Sequence, residues 1–368
     1  MILVAGGAGF IGSHLVDELL RLGYSVRVLD AFVEQVHGSN PYRLPSGVDV
    51  IQGDVRDRAV VDKALEDVDV VFHEAAEVGV GQSMYAIERY VGGNTFATAT
   101  LLEAIIGRRT QIRKLIVASS MSIYGEGAYS CVRCGTVAPS LRPVTQLESR
   151  DWEMHCPVCG SDLDPVATAE TKPLDPASVY AVTKQDQEQL CIIVGRAYRI
   201  PTVALRYFNV YGTRQALSNP YTGVAAIFSS RLLNGQPPVV YEDGLQSRDF
   251  THVYDIVQAN IRAMNSDAAD FQVINVGTGV STSVLRVAQL LAEGLGVSIE
   301  PKIAGRFREG DIRHCFADIS RARSLLGYEP TVSLEQGIPQ LLDWARGQEA
   351  VDAAERAASE LQTYGLVR

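Results

Sequence analysis

The sequence predicts an α/β protein built on a doubly wound parallel sheet, with a smaller α/β lobe and a metal-binding insertion. Short β-branched runs such as ILVAG and SVRVLD alternate with helical patterns such as SHLVDELLRLG, which is typical of a parallel sheet covered by helices. The chain has 368 residues, more than the ~250–300 residues at which a single core stops growing. Two paired-cysteine motifs lie outside this alternation. These observations indicate two lobes and one insertion.

The composition argues against several classes of protein. Hydrophobic residues make up 46% of the chain and charged residues 21%, as in ordinary globular domains. The net charge is −10 and no Lys/Arg cluster is present, so we expect no nucleic-acid partner. No apolar run reaches the ~20 residues of a membrane span, and the start MILVAGGAGF lacks the basic segment of a signal peptide. We therefore expect no membrane partner and a cytoplasmic protein whose cysteines stay reduced.

The first strand–helix–strand unit carries the pattern of a dinucleotide-binding Rossmann domain. Three glycines in GGAGFIG separate the run ILVAG from a helical pattern, so the backbone can approach a pyrophosphate at the start of a helix. Asp30 ends the second strand, where a carboxylate accepts both ribose hydroxyls and repels a 2′-phosphate, which favours NAD over NADP. Asp54 and Val55 of GDVRD are expected to contact the adenine of the cofactor. The predicted cofactor residues of this unit are Gly6, Gly9, Phe10, Ile11, Gly12, Asp30, Asp54 and Val55.

The motifs continue in an order that resembles a known family. GGAGFIGSHL, GDVRD, HEAA, the Ser-Ser strand, YAVTK and LRYFNVYG follow one another as in the extended short-chain dehydrogenase/reductases. The resemblance covers nearly the whole chain except about residues 128–172, and the sequence is similar to nucleotide-sugar 4-epimerases such as the UDP-glucose 4-epimerases and the dTDP-L-rhamnose 4-epimerases. It implies bound NAD, with Ala75, Asn94, Tyr180 and Lys184 among the cofactor residues, a UDP- or dTDP-hexose as substrate, and a homodimer. Asn94 matches a helix asparagine that the family uses to hold active-site geometry.

A tyrosine, a lysine and a serine are the predicted catalytic residues. Tyr180 and Lys184 stand four residues apart in SVYAVTKQDQEQL, which puts them on one face of a helix. A phenol with a pKa near ~10 is a poor base at neutral pH, but a nearby ammonium stabilises the phenolate. The resemblance implies that Lys184 also binds the nicotinamide ribose and that Ser120 bonds the reacting sugar oxygen. Tyr180 then removes the proton of the 4-hydroxyl while NAD accepts the C4 hydride, and the 4-keto sugar takes the hydride back on its other face.

The two residues that follow Ser120 distinguish the reactions that members of this family catalyse. By resemblance, 4,6-dehydratases carry an Asp-Glu pair at the next two positions, whereas this chain has Met121 and Ser122, which cannot act as acid or base. Simple 4-epimerisation is therefore favoured. One alternative is a 4,6-dehydratase or another oxidoreductase or lyase, in which Glu77 of the loop HEAAEVGVG shuttles a proton; Glu74 is the second unusual carboxylate there. The other alternative is a non-catalytic binding module.

The rest of the chain predicts a substrate-binding lobe. By resemblance Asn209 lies at the substrate diphosphate, which Arg248 and Arg308 can grip in bidentate fashion. Cys315 matches a position that lines the sugar pocket of the family; the alternative is a buried apolar cysteine with no role in selectivity. The expected domains are an NAD-binding domain of residues 1–207 with 248–264 returning to it, a substrate-binding lobe of 208–247 and 265–345, and a C-terminal helix and tail of 346–368.

Two Cys-x-x-Cys-Gly motifs, CVRCG and CPVCG, lie in the insertion, residues 128–172. Each motif turns two thiolates toward one ion, and two such turns complete the tetrahedron that zinc prefers; reduced thiols or two disulfides are the alternative. Four thiolates leave no position for water or substrate, so the zinc is expected to be structural. We expect the insertion to form a rigid flap beside the sugar cleft or a dimer contact. The predicted ligands are Cys131, Cys134, Cys156 and Cys159.

Overall fold

A computed structural model describes residues 1–38 and 42–368 of the chain. The strands of these residues, in chain order, are β1 (Ile2–Ala5), β2 (Val26–Asp30), β3 (Asp49–Gln52), β4 (Val70–His73), β5 (Lys114–Ser120), β6 (Ala128–Cys131), β7 (Gly135–Val137), β8 (Asp164–Val166), β9 (Thr202–Tyr207), β10 (Asn209–Tyr211), β11 (Val239–Val240), β12 (Ser247–Arg248), β13 (Phe250–His252), β14 (Val273–Val276), β15 (Thr282–Ser283), β16 (Lys302–Ile303) and β17 (His314–Cys315).

The α-helices are α1 (Phe10–Arg21), α2 (Glu34–His37), α3 (Arg58–Ala64), α4 (Val80–Ser83), α5 (Ile87–Tyr90), α6 (Ala97–Gly107), α7 (Val144–Glu148), α8 (Val179–Tyr198), α9 (Val224–Leu233), α10 (Val253–Asn265), α11 (Val284–Leu295), α12 (Ser320–Leu326), α13 (Leu334–Ala345) and α14 (Ala354–Thr363). Two 3-10 helices span Met121–Tyr124 and Asp267–Ala269, and a π-helix spans Val91–Phe96. Among the residues described, no helix is both long enough and apolar enough to cross a membrane.

Seven strands form a parallel sheet in the order β3-β2-β1-β4-β5-β9-β14. The chain winds outward from β1 in one direction through β2 and β3, and in the other direction from β4 onward. The predicted doubly wound parallel sheet is therefore confirmed. In such sheets ligands bind outside the carboxyl ends of the strands, at the point where the winding reverses. This point lies between β1 and β4, beside the glycine-rich turn.

Helices cover both faces of the central sheet and bury its strands. On one face α1 and α10 pack together over side chains such as Val4 and Leu205. On the other face α6 and α8 cover side chains such as Leu3 and Ala204. Because alternate residues of a strand point to opposite faces, strands buried on both sides need continuous apolar runs. ILVA in β1 is such a run, with all four residues buried.

One boundary predicted for the substrate lobe is corrected by β14. This strand lies within the range 265–345, yet it pairs in parallel with β9, with Ile274 beside Leu205. It therefore completes the central sheet and belongs to the NAD-binding domain. A four-residue apolar run such as VINV predicts a strand, but the partner of that strand is set by long-range pairing, which has no local signature.

The substrate lobe combines small strand groups with a helical core. The pairs β10–β13 and β11–β16 and the three-stranded group β15-β12-β17 border the cleft side of this lobe. Helices α9, α11 and α13 share a core that includes Phe228, Leu291 and Leu341. Arg248 lies on β12 and donates hydrogen bonds to the carbonyls of the two residues just before β17, Ile312 and Arg313.

The insertion folds as a three-stranded antiparallel sheet in the order β7-β6-β8, with the short helix α7 between β7 and β8. Its own core is small and contains Tyr129, Met154 and Leu163 beside two of the cysteines. Such a core buries little apolar surface, so this unit depends on other contacts for its stability.

The C-terminal segment touches both lobes. The ring of Tyr364, just after α14, stacks on Tyr85 with 4.4 Å between the ring centroids. The last residues then pair with the substrate lobe, where the backbone N–H of Phe307 donates to the carbonyl of Arg368 at 3.0 Å. Helix α14 therefore lies across the opening of a cleft that separates the NAD-binding domain from the substrate lobe.

Candidate active site

A cleft of about 1430 Å³ opens at the carboxyl ends of the central strands and is bordered by the substrate lobe. Ordinary small-molecule pockets have about 300–1,000 Å³, so this cleft has room for a dinucleotide and a second ligand of similar size. Every residue predicted from the first strand–helix–strand unit lines it, as does Ala75. These residues are Gly6, Gly9, Phe10, Ile11, Gly12, Asp30, Asp54 and Val55.

The glycine turn is shaped so that only backbone occupies the floor of the cleft. A Cβ on Gly12 would lie 2.1 Å from the carbonyl oxygen of Gly6, and one on Gly6 would lie 2.6 Å from the backbone nitrogen of Ala75. Gly6 also has a φ of +81°, which favours glycine. Helix α1 begins directly after this turn, so its positive end faces the cleft. The residues present therefore fit a bound dinucleotide diphosphate.

The two carboxylates predicted for the adenosine end are held in different ways. Asp30 accepts the backbone N–H of Ala8 at 3.0 Å and lies 3.1 Å from the ring of His37. Asp54 forms an ion pair with Arg56 at 2.6 Å, and this guanidinium lowers the pKa of the Asp54 carboxyl. Both carboxylates are thus oriented before any ligand binds. The partners His37 and Arg56 are not among the predicted residues, since neither belongs to the glycine motif.

The three predicted catalytic residues line the same cleft. Ser120 is the last residue of β5, while Tyr180 and Lys184 are one turn apart near the start of α8. Ser178 caps that helix by accepting the N–H of residue 181 at 3.1 Å. The backbone N–H of Tyr180 donates to the hydroxyl of Ser83 at 3.0 Å, which ties α8 to α4. These contacts bring the hydroxyl, the phenol and the ammonium together from two elements of the sheet domain.

Burial dominates the acid–base properties of this trio. It raises the pKa of Tyr180, and a hydrogen bond with the Ser120 side chain opposes that shift. Burial also lowers the pKa of Lys184 to about 8, and its ammonium donates to Gln187 at 2.7 Å. A buried phenol becomes a base only where positive charge stabilises the phenolate. Lys184 supplies part of that charge, and a cationic nicotinamide in the cleft would add to it.

Two unusual carboxylates lie at the end of β4. Glu74 lines the cleft and accepts the hydroxyl of Tyr207 at 2.8 Å; burial raises its pKa to about 7. Glu77 also lines the cleft, but it is paired with Arg89 at 2.6 Å. The Glu77 carboxylate is thus held toward the Arg89 guanidinium, which disfavours Glu77 as a proton shuttle. Tyr207 is a cleft residue that the motifs did not single out.

Asn94 was expected among the cofactor residues, but it does not line the cleft. It is completely buried in the π-helix. Its side chain accepts the backbone N–H of Glu77 at 2.7 Å and donates to the hydroxyl of Thr183 at 2.9 Å. Asn94 therefore holds the β4 loop against α8. Asn94 therefore positions other residues of the site, which is the role that the resemblance implies for this asparagine.

Besides Ser120, four residues are predicted to contact the substrate, and three of them line the cleft: Asn209, Arg248 and Arg308. The buried side-chain oxygen of Asn209 has no hydrogen-bond partner among the residues described, as expected for a group that meets a ligand. Arg308 pairs with Asp311 at 2.8 Å, and its guanidinium carbon lies 4.8 Å from the centre of the Tyr241 ring. One end of the cleft thus carries two arginines and an amide.

Cys315, the fourth, is not brought to the cleft. Its side chain is buried, with the sulfur 3.7 Å from the hydroxyl of Thr168, a residue of the insertion. Burial raises the pKa of this thiol to about 12, so it remains protonated. Cys315 therefore fills the contact between β17 and the insertion, which favours the alternative of a buried cysteine over a residue of the sugar pocket.

The four cysteines of the insertion come together in space. Their sulfur atoms all lie within 4.8 Å of one another, and those of Cys131 and Cys159 are 3.5 Å apart. Zinc bound tetrahedrally at about 2.3 Å from each sulfur separates the sulfurs by roughly 3.8 Å, so this donor set fits the ion. None of the residues described between Ser122 and Ala177 lines the cleft. The insertion therefore does not line the cleft in this structure.

Comparison with known proteins agrees with this geometry. Residues 2–145 match the NAD dependent epimerase/dehydratase family, and residues 159–341 match the GDP-mannose 4,6 dehydratase family. The dTDP-L-rhamnose 4-epimerase of Burkholderia thailandensis is 34% identical over 347 residues, which are 93% of this chain and 94% of that protein. The chain belongs to the NAD-dependent epimerase/dehydratase family. The resemblance to extended short-chain dehydrogenase/reductases that act on nucleotide sugars is thereby confirmed.

Solved structures of the NAD-dependent epimerase/dehydratase family share the fold over nearly its full length. The UDP-glucose 4-epimerase of Thermotoga maritima, solved with UDP-glucose, is 31% identical, has a TM-score of 0.75, and covers 94% of this chain and 98% of its own. The UDP-glucuronic acid 4-epimerase of Bacillus cereus, solved with UDP-glucuronic acid and NAD, is 31% identical, has a TM-score of 0.76 and the same coverage. Since epimerases and dehydratases both match, the side chains of the site must decide the reaction.

Proposed function

We propose that this protein is an NAD-dependent nucleotide-sugar 4-epimerase, an isomerase that inverts C4 of a UDP- or dTDP-hexose through a transient 4-keto intermediate. The observation that carries the proposal is the trio of Ser120, Tyr180 and Lys184 in a cleft with room for two ligands. The glycine turn and Asp30 are the proposed NAD site, with Lys184 at the nicotinamide ribose. Asn209, Arg248 and Arg308 are the proposed diphosphate site. dTDP-L-rhamnose is one candidate substrate, since the relative of that name is 34% identical.

Each residue of the trio has one task in this reaction. Ser120 holds the 4-oxygen of the sugar through its hydroxyl. Tyr180 removes the proton from that oxygen as phenolate and returns it when the sugar is reduced again. Lys184 stabilises the phenolate by its charge. NAD held by the glycine turn, Asp30 and Lys184 would supply reversible hydride chemistry at C4, so no second substrate would be consumed.

The side chains after Ser120 favour epimerisation over the runner-up, a 4,6-dehydratase or another lyase. Elimination of water from the sugar needs an acid and a base beyond the one at C4. Met121 offers neither, and Ser122 is a hydroxyl bound to Ser120. Glu74 is the carboxyl that could support the runner-up, but it is hydrogen-bonded to Tyr207. A non-catalytic module is disfavoured because the whole trio is present.

The experiment that tests this function is NMR of purified protein with a panel of UDP- and dTDP-hexoses, dTDP-L-rhamnose among them, without added nicotinamide. An epimerase converts one sugar of the panel into its C4 epimer and reaches the same mixture from either side. Dependence of turnover on added NAD, or formation of any product other than the C4 epimer, contradicts the proposal.

We also propose one structural zinc ion at Cys131, Cys134, Cys156 and Cys159. The support is the closeness of their four sulfur atoms and the small core of the insertion, which metal binding would stabilise. All four thiols are free of disulfides, and a reducing compartment such as the cytoplasm keeps them so. Because four thiolates fill a tetrahedral site, this zinc takes no part in the reaction.

A homodimer is the third part of the proposal. Apolar side chains are exposed on two elements that pack side by side, the π-helix and α8. Phe96 is 56% exposed on the first, and Ile193 is 62% exposed on the second. Exposed apolar side chains on neighbouring elements favour burial against a second copy. Light scattering should therefore give about twice the monomer mass of 39.9 kDa, and a constant monomer mass across dilutions contradicts it.

A further inference from the structure

The insertion packs on the substrate lobe through buried charges. Two of its residues, Arg142 and Glu153, reach across to charged groups near β12 and β17. Arg142 is nearly fully buried and forms a two-pronged ion pair with Glu242, with nitrogen–oxygen distances of 2.9 and 2.8 Å. It also donates to the carbonyl of Trp152 at 2.8 Å, which binds it to its own unit. Arg142 thus bonds to groups of both the insertion and the substrate lobe.

Arg313 lies at the centre of this contact. It is completely buried, and its guanidinium meets the carboxylates of Glu242, Asp243 and Glu153. The distances to Glu242 and Asp243 are 2.9 and 2.7 Å. Glu153 comes from the insertion and also reaches the ring of His314 at 3.3 Å. A buried guanidinium needs all its partners in place, because each unpaired donor costs its desolvation.

The same segment holds the two arginines of the cleft. Arg248 donates through its guanidinium to the carbonyl of Arg313 at 2.9 Å and to that of Ile312 at 2.6 Å. Asp311, which pairs with Arg308, offers its own carbonyl to Arg142 at 3.3 Å. Residues 311–313 therefore contact the insertion on one side. On the other side they bond to Arg248 and Arg308 and so position both arginines of the cleft.

We propose that the insertion is a brace for the diphosphate end of the substrate site, with Arg142, Glu153 and Arg313 as positioning residues that act through Arg248 and Arg308. The inference rests on the proposed function. The four-cysteine cluster fixes the segment that carries Glu153, since Glu153 precedes Cys156 by three residues. A displaced 311–313 segment moves both guanidinium groups, whereas the glycine turn and the catalytic trio belong to other elements. Nucleotide-sugar affinity should therefore depend on the brace, and NAD binding should not.

The test measures nucleotide affinity and cofactor content separately, in the purified full chain. Glu153→Gln removes the charge that the insertion offers to Arg313, and Arg142→Lys keeps a charge but loses the two-pronged geometry. Asp164→Asn is the matched control, because Asp164 is exposed on the same insertion and makes no ion pair among the residues described. Titration calorimetry with UDP and with dTDP gives the affinity, and the NAD released on denaturation gives the cofactor content.

We expect Glu153→Gln and Arg142→Lys to weaken binding of the preferred nucleotide at least fivefold, with NAD content unchanged, and Asp164→Asn to match the wild type. Where a substrate is at hand, KM should rise more than kcat falls. Variants that bind the nucleotide as the wild type does overturn the brace. So does a parallel loss of NAD and of nucleotide affinity, which indicates a general loss of fold. A wild type that binds neither UDP nor dTDP contradicts the proposed function and removes the brace with it.

Discussion

The hydroxyl of Ser122 donates a hydrogen bond to the hydroxyl of Ser120, with 2.9 Å between the two oxygens. The position that would need a carboxyl for elimination is thus occupied by a second hydroxyl. We predict that no 4-keto-6-deoxy sugar is formed from any UDP- or dTDP-hexose. The characteristic absorbance of such products in alkali, followed over many turnovers, checks this. Its steady appearance would move the assignment to a lyase.

Tyr180→Phe should reduce turnover by about 10²–10⁴-fold, because it removes the proton acceptor and keeps the aromatic ring. NAD content should not change, since Lys184 and the glycine turn remain. Tyr198→Phe is a suitable control, because Tyr198 is 43% exposed at the far end of the same helix. Turnover of Tyr180→Phe within a few-fold of the wild type would show that another group is the base.

Protein purified without chelator should contain about one zinc per chain by elemental analysis. Cys156→Ser should lose this metal and lower the melting temperature by about 5 °C or more, because metal binding contributes to folding of a unit with a small core. Cys191→Ala, a change at a buried thiol outside the cluster, should keep the zinc. Zinc-free wild-type protein would rule out the site, and an unchanged melting temperature in Cys156→Ser would rule out its structural role.

Glu153 should stabilise the protein only above acidic pH. Its hydrogen bond with His314 and its contact with Arg313 lower the pKa of the Glu153 carboxyl from 4.5 to about 2 in the folded protein. A group with a lowered folded-state pKa contributes stability above its unfolded pKa, and this contribution disappears as the pH falls from about 4.5 to about 2. Melting curves should therefore separate wild type from Glu153→Gln at pH 7 and bring them together near pH 2. A difference that persists undiminished at low pH contradicts this linkage.

The parts of the site that the sequence alone predicted are those that depend on short-range geometry. The glycine turn, the Tyr180–Lys184 spacing and the two cysteine motifs each act over a few residues, so the type and spacing of residues determine how they fold. The doubly wound sheet was predictable for a similar reason, because its strands and helices alternate with a local period. Met121 and Ser122 were informative because they lie next to a recognisable strand end.

The tertiary structure decided what depends on residues far apart in the chain. Arg313 and Glu153 are 160 positions apart, and nothing in the sequence around either residue signals that they meet. The same holds for Cys315, which the insertion covers, and for β14, whose partner strand could not be read from VINV. Asn94 bonds to Thr183 of α8, a contact that depends on how that helix packs. Long-range packing chooses among partners of similar chemistry, and local sequence patterns carry no record of that choice.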